Sequence, residues 1–152
     1  MLWQDVLVAQ RANDASIVAA TAAAFGLPSA DVAVVDDLEE MLTRVAPATR
    51  LLVQRTMTGG DFPMLLSIYV LDRLIEQRLA DLPVGLAHVQ RLARMLGADL
   101  LISDATTPGD EEGLLVRPQG TVERVLLDAG GLDRDVYRIV RWETPIRTPI
   151  PA

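Results

Sequence analysis

The sequence predicts a single α+β domain over residues 1–142, with a largely antiparallel sheet of two hairpins plus additional strands, covered by about four helices. Three observations predict it. Short aliphatic runs of strand length recur along the chain, as at 50–56, 64–70 and 100–102. Two of the gaps between runs are turn signals, Thr58-Gly59-Gly60-Asp61 and Pro118-Gln119-Gly120, which fold the chain back on itself. Between the two hairpins the apolar residues repeat instead at spacings of three and four, the period of a helix face.

Residues 5–10, DVLVAQ, read as a first strand. Asn13 or Asp14 can cap the alanine-rich helix 15–25, whose larger residues are Ile17, Val18, Thr21 and Phe25; Gly26 and Pro28 end it. Residues 31–35 are a second strand. Asp36, with Glu39 three residues on, forms a capping box for a short helix with Leu38, Met41, Leu42 and Val45 on one face, ended by Pro47. Strands 50–56 and 64–70 make the first hairpin, with Pro63 at the head of the second arm, where a missing N–H does least harm. From Asp72 the pattern turns helical, with Leu71, Leu74, Ile75, Leu79 and Leu82 on one face.

The next stretch, 84–104, predicts an amphipathic helix, a stop and a buried strand. Leu86, Val89, Leu92, Ala93 and Leu96 share a face, while His88, Gln90, Arg91 and Arg94 take the remainder. Gly97 supplies the left-handed stop, and Leu100, Leu101 and Ile102 suit a strand buried on both faces. A polar loop, 104–113, leads to the second hairpin, 114–117 with 121–127. A loop, 129–135, precedes a last strand, 136–142. Residues 143–152 hold three prolines and read as an extended or disordered tail.

The chain has 152 residues, enough for one domain with a core that needs no metal or disulfide staple. Aromatics make up 4 %, so Leu, Val, Ile and Ala must do the packing. No apolar run has the length of a membrane span, and the N-terminus lacks the basic region of a secretory signal. A cytoplasmic, bacterial protein is the expectation. There is no cysteine, which excludes disulfides, thiol catalysis and thiolate metal sites. All 14 bases are arginine against 21 acids, for a net charge of −7. Schiff-base chemistry and a Walker lysine are therefore excluded, and nucleic acid is a poor partner for such a chain.

Gly59-Gly60-Asp61-Phe62 resembles the opening of the signature hairpin of diguanylate cyclases. The glutamate expected after Asp61 is missing and Pro63 follows Phe62, so a glycine-built turn accounts for the four residues. No G-x-S-x-G, G-x-G-x-x-G or P-loop occurs. His88, the one histidine, has no nucleophile or orienting carboxylate implied by spacing and is expected on the polar side of its helix. No metal site and no cofactor are expected.

Two acidic groups are the candidate partner-binding residues: Asp36, Asp37, Glu39 and Glu40, and Asp110, Glu111 and Glu112. Arg50, Arg55, Arg117 and Arg124, in or beside strands, could hold an anion if alternation gathers them on one face; cross-strand acids could equally pair with them. The expected function is a non-enzymatic acidic interaction module, in its specific form an immunity-type protein that masks a basic partner. An anion-binding regulatory domain is the alternative, and an enzyme of unfamiliar type comes third. Exposed hairpin edges add a homodimer to the expectations.

Overall fold

A computed structural model describes residues 2–40, 45–81, 86–103, 111–132 and 134–146. Its centre is an eight-stranded sheet in the order β10-β8-β7-β6-β1-β5-β3-β2. The strands are β1 (Leu2–Val8), β2 (Val32–Val35), β3 (Leu51–Met57), β5 (Met64–Val70), β6 (Leu100–Ser103), β7 (Glu112–Val116), β8 (Val122–Leu127) and β10 (Ile139–Ile146). Only the β2–β3 pair is parallel within it; the other pairs are antiparallel. A two-stranded parallel ladder joins β4 (Gly59–Gly60) to β9 (Val136–Tyr137). The helices are α1 (Asp14–Phe25), α2 (Arg73–Asp81), α3 (Leu86–Leu96) and the single turn α4 (Ala129–Leu132). The α+β class, the largely antiparallel sheet and both expected hairpins, β3–β5 and β7–β8, are present.

The helix ends follow their local chemistry. The Asn13 side chain accepts the Ser16 N–H at 2.8 Å, and Gly26 at φ 67° closes α1 by donating to Ala22 and Ala23. Asp72 caps α2, accepting from Leu74 at 2.7 Å and Ile75 at 3.2 Å. Small alanine side chains let α1 lie close against α3.

Period-two alternation sends Val6, Val8, Leu51, Val53, Met64, Leu66, Ile68 and Val70 to the helix side. They meet Ile17, Ile75, Val89 and Leu92 from the helices. The opposite face carries a second, smaller core of Leu7, Phe62, Leu101, Leu115, Val125 and Leu127, with Leu132 of α4 and Tyr137 of β9 against it.

Several local expectations are corrected. Of the short helix expected after Asp36, the described part is a 3-10 turn, Leu38–Glu40, with Asp37 rather than Asp36 accepting the Glu39 N–H at 3.0 Å. Met41 and Leu42 lie outside the described residues. The strand expected at 136–142 divides at Arg138: β9 pairs with β4, whereas β10 pairs with β8 and runs on to Ile146, into the expected tail. Residues 147–152 lie outside the description. His88 is buried, not on a polar side: the Phe25 ring of α1 lies 5.0 Å from it, and a slip in the β1 register between Leu2 and Gln4 accompanies a second aromatic neighbour. Trp3, in that slip, turns to the helix side and sets its ring 5.3 Å from Phe25 and 6.0 Å from His88. Gln90, also expected among polar residues, is buried and donates to the Gly120 carbonyl at 3.0 Å.

Candidate functional site

The strand arginines are held by the chain's own acids. Arg50 on the β3 side lies 2.7 Å from Asp72 and 3.4 Å from Asp31. Arg55 lies 2.6 Å from Asp14 and takes Asp36 in a two-pronged pair at 2.9 and 3.2 Å. Arg117 pairs with Glu123 at 3.1 and 3.3 Å and stands 3.7 Å from Asp99. Hydrogen bonds to these carboxylates raise all three guanidinium pKa values, and Arg50 in turn holds the Asp72 carboxyl below its ordinary value. Arg124 lies on β8 with its side chain on the helix side, apart from those three. The four arginines do not converge on one point.

The acidic candidates fall into two places. Asp36, Asp37, Glu39 and Glu40 follow β2 at one margin of the sheet, with Asp36, Asp37 and Glu39 exposed. Asp36 is the residue engaged by Arg55. Glu111 is exposed in the turn before β7, and Glu112 opens that strand; Asp110 lies outside the described residues. Alternation with Gly113 and Leu115 turns the Glu112 side chain to the helix side, where its Oε2 is buried without a hydrogen bond.

The open face of the sheet holds a cleft of about 330 Å³. Two adjacent cross-strand rows make it. One is apolar: Leu65, Leu7 and Leu101 lie side by side on β5, β1 and β6. The next is polar: Ser67 faces Asp5, and Ser103 faces Gly113. The rows lie about 7 Å apart, two residues along each strand. The far wall is Leu127, Leu132 of α4 and Tyr137 of β9. Gly113 makes room for the Leu101 side chain, since a Cβ there would come within 2.7 Å of a Leu101 methyl.

The charge in the cleft is negative. Ser67 donates its hydroxyl to Asp5 at 2.6 Å. Burial raises the Tyr137 hydroxyl above its ordinary value, and the charges of Asp135 and Asp5 add to that rise. No arginine lines the cleft among the described residues. A more open hollow of about 560 Å³ lies beside Arg11, Asp36, Arg55 and Met57, but its Arg55 is the one already gripped by two carboxylates.

The far wall depends on the Gly59-Gly60-Asp61-Phe62 segment. Gly59 N–H donates to Asp135 O at 3.0 Å, Asp61 N–H to Tyr137 O at 2.7 Å, and Ile139 N–H to the Asp61 carboxylate at 3.0 Å. Gly60 has φ 83°, and a Cβ there would stand 2.5 Å from Tyr137 O. The glycine pair is thus needed for close backbone approach as well as for the turn. Asp135 itself holds φ 54°, unusual for a residue with a side chain.

Among the described residues no group of three or more His, Asp or Glu could hold a metal ion, and no helix is long and apolar enough to cross a membrane. His88 lies among Trp3, Phe25 and Arg91; burial first, then the Arg91 charge, holds its pKa below the ordinary value. The sequence reading missed Asp5, Ser103 and Tyr137. A usable signal existed at Asp5, a charged residue alternating with Val6 and Val8 inside a strand. Tyr137 gave none, because its place depends on β4 and β9 meeting across 76 residues of chain. No protein-family model matches the chain, and no curated protein or solved structure matches it either.

Proposed function

We propose that this chain is a non-enzymatic binding protein that masks a basic protein partner, as an immunity-type protein would. The observation that carries the reading is the state of the arginines. Arg50, Arg55 and Arg117 together engage six carboxylates, Asp31, Asp72, Asp14, Asp36, Asp99 and Glu123, so each cluster is still net negative. The net charge of −7 is therefore not offset at these cations, and its field favours encounter with a cationic surface. The alternative, an anion held by Arg50, Arg55, Arg117 and Arg124, loses support from the same pairs. An incoming anion would have to displace two carboxylates at each of the first three.

The partner-facing residues in this reading are Asp37, Glu39 and Glu40 beyond β2, and Glu111 before β7. The test is a pull-down with the full chain as bait and the products of its neighbouring reading frames as prey, at roughly 50 mM and 500 mM salt. A basic protein retained at low salt and released at high salt supports the reading; no retention at either sinks it. A second copy of the chain is the other proposed partner, with edge strand β10 as the surface, where Val140 and Trp142 are 57 % and 54 % exposed. Light scattering at the mass of a monomer would remove that part.

A further inference from the structure

The open-face cleft sets an acid, Asp5, beside an apolar row. Asp31, Asp36, Asp72, Asp99 and Glu123 each have an arginine of the chain, whereas Asp5 has, among the described residues, the Ser67 hydroxyl and no ion pair. The leucine row beside it is partly uncovered, with Leu65 half-buried. A carboxylate next to an apolar trough suits a cation carried on a hydrocarbon stem: the head meets the charge and the stem covers the leucines.

We propose that this cleft receives one arginine or lysine side chain of the basic partner, an inference that rests on the masking function above. The alkyl stem lies along Leu65, Leu7 and Leu101, the charged head meets Asp5, and Tyr137 forms the wall that limits its swing.

The ¹⁵N-labelled full chain is titrated with n-butylguanidinium and with guanidinium at equal ionic strength, and amide shifts are followed. The expected result is a saturable shift at Leu7, Leu101, Ser103 and Tyr137, with half-saturation by butylguanidinium at roughly tenfold lower concentration than by guanidinium. Asp5→Asn keeps an acceptor for Ser67 and weakens butylguanidinium binding about tenfold. Ser103→Arg, at an exposed rim position, sets a cation of the chain's own beside Asp5 and produces the same loss. Glu76→Gln, on α2 and outside both the cleft and the partner-facing acids, changes nothing. Equal half-saturation by the two probes, shifts spread over the surface, or an Asp5→Asn chain that binds like the original would each overturn the proposal. A parallel titration with an octa-arginine peptide separates the two levels. Peptide binding that survives Asp5→Asn and Ser103→Arg unchanged removes the cleft and leaves the masking function; no peptide binding to the original chain at low salt removes both.

Discussion

The two faces of the sheet are covered in different ways. On one, α1, α2 and α3 lie over Val6, Val8, Leu66 and Ile68, which strand alternation turns toward them. On the other, the cover is one helical turn, α4, and a two-residue ladder, β4–β9, fixed by backbone hydrogen bonds from Gly59 and Asp61. The first face is sealed by area; the second is held at a few points and leaves a cleft between them. The contrast teaches that whole helices cover an aliphatic face more completely than a helical turn and a two-residue ladder do. The cleft lies on the face where cover is short.

The largest test of the contrast uses two neighbours on β5. Leu66 is fully buried on the helix side and Leu65 half-buried on the cleft side. Leu66→Ala is expected to lower unfolding stability by about 3–4 kcal/mol and Leu65→Ala by about 1 kcal/mol, measured by urea titration. Equal losses would mean the two faces are sealed alike.

Next comes the fastening of the far wall. Gly60→Ala forces a methyl into the Tyr137 backbone and a side chain into positive φ, for a cost of about 2 kcal/mol. Hydrogen exchange should quicken at Asp61 and Ile139 while the amides of β5 keep their protection. Uniform loss of protection over the whole sheet would show that the wall and the main core are one cooperative unit.

A smaller effect is expected at the helix-side cap. Asn13→Ala removes the acceptor for Ser16 and should lower stability by about 1 kcal/mol, without altering exchange at Tyr137. A change of stability below detection would remove the cap from the account of α1.

The smallest at neutral pH concerns His88. Its folded pKa lies below the ordinary 6.5, first through burial and then through Arg91. The unfolded chain therefore binds the proton more readily, and stability is lost as pH falls below about 6.5. His88→Phe keeps an aromatic ring beside Trp3 and Phe25 and should flatten that part of the pH profile. An unchanged profile in the variant would assign the pH dependence to other groups.

Much of this was readable in the chain. The turn at Thr58–Asp61, the stop at Gly97 and the leucine face of α3 are local signals with local causes, and the structure bears each of them out. The acids beyond β2 were found by charge alone. The cleft was not found, because its parts come from β1, β5, β6, β7 and β9, and register decides which residues adjoin. His88 was misplaced for a related reason: helical spacing put it among Gln90 and Arg91, but Phe25 of α1 and Trp3 of β1, distant in the chain, lie against it.

By itself, then, the order of residues determined the α+β class, the hairpins, the capped helices, and a lysine-free chain of net charge −7. Those depend on period, turn chemistry and composition, which act within a few residues of one another. The tertiary structure alone decided which carboxylates the arginines consume and that Asp5 is left beside an apolar trough. It did so because pairing across strands joins residues that no spacing along the chain relates.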